Sequence, residues 1–173
     1  APDVKDVYPE TTSSNQYTFG LLETTMEGAK RDGHFQGVAT IVQKLLSGFN
    51  PTRAYFGEKD YQQLCIIHQL VAQKKLPVTI VNCPIIREKD GLAMSSRNTR
   101  LSEKDRAQAA LIYATLNKSI ALKTSSSIEE INHIVSATFA QNPDFILDYF
   151  CIADAQSLQP ITCLLYTSPS PRD

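Results

Sequence analysis

The stretch RAYFGEKDYQQ, Arg53–Gln63, decides the fold. Its start, Arg53–Phe56, contains the apolar run Ala54–Phe56 and predicts a strand, and Lys59–Lys75 has the apolar spacing of a helix. Pro77–Cys83 is rich in β-branched residues and predicts a second strand. A strand, a helix and a strand in a row indicate a βαβ unit, in which a right-handed crossover joins two parallel strands.

The turn between the first strand and the helix has the composition of a phosphate-binding site. Gly57 allows the backbone to approach a ligand closely. The N–H groups of a first helical turn are unpaired and carry positive potential, and Lys59 adds a mobile point charge beside them. Ligands of parallel sheets bind beyond the carboxyl ends of the strands, so we expect Gly57–Gln63 and the segment after Cys83 to lie at the same edge.

Gln63 is the sharper clue in the helix. At about 100° per residue, Gln62, Gln69 and Gln73 fall together, and we expect them to form the solvent-exposed face. Gln63 instead projects into an apolar sector, where an unpaired amide costs about 1–3 kcal/mol. It is either a core glutamine bonded to neighbouring backbone or a ligand-facing glutamine in a cleft above the strand ends, and this stretch alone supports both equally.

Composition excludes several classes of protein. The chain has 173 residues, 42% of them apolar, which suits one domain or one and a half. Its net charge of −1 gives no electrostatic case for nucleic-acid binding. No apolar run approaches the roughly 20 residues of a membrane span, and no signal peptide is visible. We expect a cytoplasmic protein without nucleic-acid or membrane partners.

The cysteines and histidines are too scattered for a zinc site or a disulfide scaffold. We expect free, mostly buried thiols in a reducing compartment, and no protein-built metal site. The residues concerned are Cys65, Cys83, Cys151, Cys163, His34, His68 and His133.

A loop, a strand and two helices are predicted before the central stretch. A polar loop covers residues 8–15, and Gln16–Leu21 alternates enough for a short strand. Leu22–Ala29 is predicted to be a short helix. His34–Phe49 has apolar residues at helical spacing and is followed by Asn50-Pro51, which ends a helix.

The segment Pro84–Asn98 follows the second strand and contains a turn signal at Asp90–Gly91. Ser95–Arg97 places two hydroxyls and a guanidinium at three consecutive positions, a suitable set of donors for a polyphosphate. An ordinary polar loop with a helix cap has the same composition, and taken alone the triplet favours that interpretation.

A small α+β domain is predicted to follow, over residues 100–161, after a nucleotide-binding part over residues 1–99. A capping-box pattern opens a helix from Ser102 to Leu122, and a second one opens Ser127–Ala140. Phe145–Ile152 is predicted to be a strand. The Ser- and Pro-rich end, residues 162–173, is predicted to be disordered, and its composition is also that of translated vector sequence.

Four ordered blocks of the chain resemble the pantothenate synthetase (pantoate–β-alanine ligase) family, over residues 1 to about 161. They are Glu27–Gly28, Gly33–Val42, Gly57–Gln63 and Asp90–Asn98. The resemblance implies a partial Rossmann-like, α/β nucleotide-binding domain with parallel strands, similar to class I aminoacyl-tRNA synthetases. It also implies an enzyme of the coenzyme A pathway that joins pantoate to β-alanine. Such enzymes use ATP and Mg²⁺, pass through pantoyl-adenylate, release AMP and pyrophosphate, and form homodimers.

The resemblance also implies roles for the residues of the central turn. Gly57 and Asp60 would hold the ribose of ATP, with Glu58 in the same segment, and Lys59 would contact the phosphates. Ile86 would offer backbone contacts to adenine.

A second ATP-binding segment implied by the resemblance is the loop that covers the triphosphate, at the place of the synthetase KMSKS motif. It comprises Met94, Ser95, Ser96 and Arg97. Together with Lys59, the last three would carry the catalytic stabilisation of charge. This requires two loops at one rim of the sheet, so that Lys59 and Arg97 bind the same triphosphate.

The acid substrate is assigned in the same way. By the resemblance Gln63 would bind pantoate, which agrees with its inward placement. The family pattern Arg-Pro-Gly-His-Phe has Asp32 at the proline position here and puts Arg31 and His34 at the rim of the site. For His34 we favour the structural alternative, in which it starts the helix that runs to Phe49.

One departure from the family is an absence. The HIGH-type histidine motif and a further pantoate-binding glutamine precede the first residue of this chain, so we expect the chain alone to have little or no synthetase activity. Two alternatives stay open at this point: a non-catalytic nucleotide-binding or dimerisation fragment, and another nucleotidyltransferase of the same superfamily.

Overall fold

A computed structural model describes Asp3, Lys5 and residues 16–162 of the chain. The loop expected over residues 8–15 and the tail after residue 162 lie outside the described residues. The chain divides into two compact units: the first comprises Ala1–Ile85 with Gln156–Leu158, and the second comprises Ile86–Ala155 with Gln159–Asp173. The domain limits drawn from the sequence, 1–99 and 100–161, stay predictions.

The first unit contains the expected βαβ arrangement. Its elements in chain order are α1 (Met26–Lys30), α2 (His34–Phe49), β1 (Arg53–Gly57), α3 (Tyr61–Lys74) and β2 (Thr79–Cys83). The two strands are parallel and in register from Arg53 opposite Thr79 to Gly57 opposite Cys83. Their carboxyl ends therefore lie at the same edge, as predicted.

Helix α2 has the bounds that its sequence predicts. It starts at His34 after Gly33, whose φ of 70° is left-handed, and it ends at Phe49, followed by Asn50 with a left-handed φ of 44°. The Asn50 N–H donates to the Leu46 carbonyl at 2.9 Å, which satisfies a carbonyl of the last turn. His34 thus begins the helix, in agreement with the structural role favoured for it.

The core of the first unit forms where α2 and α3 pack together. Burying a large apolar side chain contributes about 1.5–3 kcal/mol, so this cluster is the main stabilisation of the unit. The buried members are Tyr17, Phe19, Leu22, Phe35, Ala39, Ile66, Leu70 and Leu158.

The strand predicted over Gln16–Leu21 is wrong. A side chain takes the place of a partner strand, since the Tyr17 N–H donates to Gln36 Oε1 and Gln36 Nε2 donates to the Tyr17 carbonyl, both at 2.9 Å. Gly20 then turns left-handed at a φ of 57°. A 3₁₀ turn over Gly20–Glu23 follows, so the single helix predicted over Leu22–Ala29 is split into this turn and α1.

The second unit contains helices α4 (Glu103–Gln108), α5 (Ala110–Leu122) and α6 (Ile128–Ala140). The helix predicted from Ser102 to Leu122 is interrupted at Ala109. At its start, the Asp105 N–H donates to the Ser102 hydroxyl at 3.1 Å. The capping box predicted for α6 is confirmed: the Glu130 N–H donates to Ser127 Oγ at 3.2 Å, and the Ser127 N–H donates to Glu130 Oε2 at 2.8 Å.

The strand predicted over Phe145–Ile152 is also wrong. This segment forms no β-ladder among residues 16–162, where the second unit has only isolated bridges, such as Ala153 opposite Pro160. Its apolar side chains pack instead on the α6 cluster of Ile131, Val135 and Phe139. The apolar residues that suggested a strand are therefore explained by packing against a helix.

Two expectations from composition can be compared with the described residues. None of the helices there is long and apolar enough to cross a bilayer. Cys65, Cys83 and Cys151 carry free thiols and are half-buried, and Cys163 lies outside the described part.

Candidate functional site

The end of β1 leaves open space beside Gly57. Its φ of −77° and ψ of 134° are extended, so the backbone angle does not demand glycine there. No atom of the described chain lies within 4 Å of a Cβ built on Gly57, outside its immediate neighbours. Neither the backbone angle nor packing within the described chain therefore requires a glycine at this position.

Lys59 lies in a 3₁₀ turn, Glu58–Asp60, which connects β1 to α3. Its Nζ lies 3.4 Å from Asp60 Oδ1, and the side chains of Lys59 and Asp60 are 44% and 63% exposed. An ion pair this exposed contributes at most about 1 kcal/mol, so it does not hold the ammonium away from an anionic ligand. Glu58 is half-buried in the same turn.

Gln63 lies in the first turn of α3 and is half-buried. Gln69 and Gln73 are exposed, as predicted for their face of the helix. Gln62, which was predicted to share that face, is only 6% exposed, and this prediction is wrong.

Gln62 is buried because its amide pairs with the backbone of the turn before α1. Its Nε2 donates to the carbonyls of Leu22 at 2.8 Å and Thr25 at 2.9 Å. Its Oε1 accepts from the Glu27 N–H at 3.1 Å. These three bonds compensate for the burial of the amide and tie the start of α3 to the start of α1.

Arg31 follows α1 and is more than half exposed. Its Nη1 lies 3.9 Å from Glu27 Oε2, one helical turn earlier. Burial lowers the pKa of the neighbouring His34, the positive charge of Arg31 lowers it further, and Glu27 opposes both. The neutral imidazole is therefore favoured, which suits a half-buried residue at a helix start.

In the second unit, a hairpin brings Ile86 and Met94 together. The Met94 N–H donates to the Ile86 carbonyl at 2.9 Å, and Arg87 bridges Ala93 in antiparallel fashion. Ile86 is 63% exposed and Met94 is 51% exposed. Two residues assigned to ATP from separate parts of the sequence pattern thus lie side by side.

Two contacts that sequence reasoning missed hold this hairpin. Both oxygens of Asp90 accept from the Arg106 guanidinium, with Nη2 to Oδ1 at 3.2 Å. Arg87 places its guanidinium carbon 3.9 Å from the centre of the Tyr113 ring. No sequence signal could have paired these residues. Both contacts join the hairpin to a helix, and the sequence pattern does not determine how those helices pack against it.

Ser95, Ser96 and Arg97 follow the hairpin in a tight turn. Ser95 caps the 3₁₀ turn Ser96–Arg100, since its Oγ accepts from the Arg97 N–H at 3.2 Å. The cap that the sequence offered as an alternative to phosphate binding is thus present. Ser96 and Arg97 are exposed and are presented by this turn toward solvent.

Comparisons with known proteins agree on one family. A family model described as pantoate-beta-alanine ligase matches residues 1–169. The pantothenate synthetase of Flavobacterium psychrophilum is 48% identical over 163 residues, which are 94% of this chain and 57% of that protein. The one from Bacteroides fragilis is 47% identical over 161 residues, 93% of this chain and 57% of that protein. The chain therefore spans 57% of the length of these relatives.

Solved structures show the same likeness. The pantothenate synthetase of Thermus thermophilus is 39% identical, with a TM-score of 0.86 over 94% of this chain and 59% of that one. The pantoate-beta-alanine ligase of Francisella tularensis, solved with "Beta-gamma ATP" and beta-alanine, is 36% identical, with a TM-score of 0.67 over 78% of this chain and 50% of that one. The α/β, Rossmann-like fold class is confirmed by this likeness. Because the family model covers nearly the whole sequence, the chain belongs to the pantoate-beta-alanine ligase family.

Proposed function

We propose that this chain serves the ATP-dependent ligation of pantoate with β-alanine, giving pantothenate, AMP and pyrophosphate. The observation that carries the proposal is the family match over residues 1–169, which includes both candidate ATP-binding segments. The Francisella tularensis relative, whose structure holds an ATP compound and β-alanine, supports two of the three substrates.

The reaction proceeds in two group transfers. A pantoate carboxylate oxygen attacks the α-phosphorus of ATP, an O–P bond forms, and the bond to the β-phosphate oxygen breaks, which releases pyrophosphate. The β-alanine amine then attacks the acyl carbon of pantoyl-adenylate. The C–N bond forms, the C–O bond to phosphate breaks, and the amine loses a proton as AMP leaves.

The first transfer builds negative charge on the leaving pyrophosphate. We assign its stabilisation to Lys59, Ser95, Ser96 and Arg97. Fixed cations and donors aimed at developing charge are worth on the order of 10²–10³ in rate each. The exposed ammonium of Lys59 and the exposed guanidinium of Arg97 are accessible to a triphosphate in solution.

The nucleoside part of ATP is assigned to the remaining residues of the two segments. Gly57 and Asp60 bind the ribose, with Glu58 beside them, and the open space at Gly57 supports this assignment. Ile86 contacts adenine through its backbone. The hydrogen bond between Ile86 and Met94 supports a common role for the pair.

Gln63 binds pantoate, and Arg31 contributes to the acid site. A half-buried amide at a helix start offers both a donor and an acceptor, which matches a small acid that carries hydroxyl groups. Arg31 supplies the positive charge that a carboxylate needs.

Mg²⁺ is assigned to the phosphates of ATP rather than to a protein site. The described residues contain no group of three or more His, Cys, Asp or Glu side chains arranged to hold a metal. The assignment rests on the general behaviour of Mg²⁺, which keeps several waters and binds through substrate phosphates with at most one or two carboxylates. When bound, the ion neutralises phosphate charge.

The proposal is tested with a chimera, in which residues 1–161 replace the matched residues of the Flavobacterium psychrophilum enzyme. The measurement is acid-dependent exchange of labelled pyrophosphate into ATP. We expect exchange with pantoate. Exchange with lactate or glycolate should be at least about tenfold slower, because these smaller acids lack part of the polar and apolar surface of pantoate.

The same measurement separates the alternatives. Equal exchange with all acids would indicate another adenylyl transferase of the superfamily. A chimera that binds ATP and has a native circular-dichroism spectrum, but gives no exchange with any acid, would contradict the ligase proposal and favour a non-catalytic nucleotide-binding module.

A further inference from the structure

The amide of Gln62 bonds the start of α3 to the turn before α1. Its three hydrogen bonds to Leu22, Thr25 and Glu27 measure 2.8 to 3.1 Å, and the side chain is 6% exposed. Because both donors and the acceptor are used, the amide has one orientation. The turn is fixed against the start of α3.

Two of these bonds flank a strained residue. Met26 has a left-handed φ of 47°, which is unfavourable for a residue with a side chain. The Thr25 carbonyl on one side and the Glu27 N–H on the other are both held by Gln62. Strain of this kind persists only where the surroundings hold it, and it is concentrated at functional sites.

Close packing around Gly28 also restricts this turn. A Cβ at Gly28 would overlap the Glu23 carbonyl. The Thr25 hydroxyl adds a bond to the Leu158 carbonyl at 3.4 Å. The turn therefore has little freedom while the Gln62 bonds are present.

Because of its position in the chain, Gln62 connects the residues that are assigned to the acid substrate. It directly precedes Gln63, and it bonds to Glu27, which is paired with Arg31 at 3.9 Å. We propose that Gln62 is a positioning residue for the acid substrate, because its amide sets the placement of the Arg31 segment relative to Gln63. This inference rests on the proposed function, which assigns Gln63 and Arg31 to pantoate.

A positioning role predicts a selective effect. None of the three Gln62 bonds involves Gly57–Asp60, the segment assigned to ATP. Loss of the Gln62 amide is therefore expected to weaken binding of the acid and to leave ATP affinity nearly unchanged. A role in general stability would weaken both.

The test uses the full 173-residue chain, titrated separately with pantoate and with ATP while backbone and side-chain amide NMR signals are followed. Gln62→Met keeps the length of the side chain and removes all three bonds. Gln62→Glu keeps the acceptor for the Glu27 N–H and removes the donors. Gln69→Met, on the exposed face of α3, is the matched control.

We expect Gln62→Met to shift the Glu27 amide signal and to raise the Kd for pantoate about tenfold or more. The Kd for ATP should stay within about twofold of the wild-type value. Gln62→Glu, whose carboxylate would face the Leu22 and Thr25 carbonyls, should weaken pantoate binding at least as much. Unchanged pantoate affinity in Gln62→Met, or a parallel loss of both ligands in both Gln62 variants, would overturn the positioning role. A wild-type chain that binds ATP but not pantoate would instead overturn the assignment of pantoate to this chain and the inference with it.

Discussion

The guanidinium carbon of Arg87 lies 3.9 Å from the centre of the Tyr113 ring, and Nη1 of the same group donates to the Gly91 carbonyl at 3.1 Å. One side chain thus links the turn of the hairpin to helix α5. A cation–π contact contributes about 0.5–2 kcal/mol, depending on how far it is desolvated. The loop that begins at Met94 is held at its base by Arg87 and Tyr113, which lie outside the segment Met94–Arg97.

The first prediction concerns Gly91. Its φ is 90°, and a Cβ there would overlap the Tyr113 ring, so Gly91→Ala is strained and also displaces the ring. We expect the free energy of unfolding of the second unit to fall by about 1–3 kcal/mol, measured by urea denaturation. Gly48→Ala is the control, since a Cβ there meets no atom within 4 Å and alanine favours a helix. Equal stability of wild type and Gly91→Ala would contradict the hairpin geometry.

The second prediction concerns the pH dependence of the Asp90–Arg106 pair. Hydrogen bonds from Arg106 hold the pKa of Asp90 below its usual range. A lowered folded-state pKa stabilises the fold fully above the unfolded value of about 3.9, and this contribution is lost as the pH falls through the folded value.

Asp90→Asn should therefore have a lower Tm than wild type at pH 7, and the difference should shrink below about pH 4. Thermal denaturation at several pH values measures this, with the exposed Asp32→Asn as control. If the difference in Tm between wild type and Asp90→Asn is the same at neutral and acidic pH, the charge of Asp90 is not the cause of that difference.

The third prediction concerns the capping box of α6. Ser127→Ala removes the acceptor for the Glu130 N–H and should destabilise the second unit by about 1 kcal/mol. Neighbouring Ser126→Ala, which is not in the box, should have a much smaller effect. Chemical denaturation of both variants checks the prediction, and equal effects would exclude the cap as the cause.

The fourth prediction concerns Gln63 and uses the chimera. Gln63→Ala removes an amide assigned to pantoate, so we expect the KM for pantoate to rise about tenfold or more with a smaller change in the KM for ATP. Gln69→Ala on the exposed face should leave both constants unchanged. An increase in the KM for ATP alone would place Gln63 in the nucleotide site and contradict its assignment.

Local patterns predicted the parts of the fold that local physics determines. The bounds of α2, the parallel pairing of β1 with β2 and the Ser127–Glu130 box all follow from periodicity, turn residues and capping. The helix bounds and the box depend on residues close together in the sequence, and the strand pairing follows from the strand–helix–strand order.

The failures arise from tertiary contacts that no local sequence pattern describes. Gln62 was placed on the exposed face because of its polarity, yet its partners are backbone groups 35 to 40 residues earlier in the chain. Tyr17 bonds to a side chain on α2, which a strand pattern does not anticipate. For the site, contiguous motifs supplied the residues that are proposed to contact ligands, whereas the supporting pairs Asp90–Arg106 and Arg87–Tyr113 depend on tertiary packing.

The central proposal is that Lys59 and Arg97 each contact phosphates of ATP, and calorimetric titration of the chain with ATP and with AMP tests it most directly. Removing a phosphate contact lowers affinity for ATP and leaves affinity for AMP nearly unchanged. We expect Lys59→Ala and Arg97→Ala each to weaken ATP binding by about tenfold, the effect of about 1.4 kcal/mol, while the exposed Lys118→Ala does not. ATP binding that is unchanged in both variants would contradict the account.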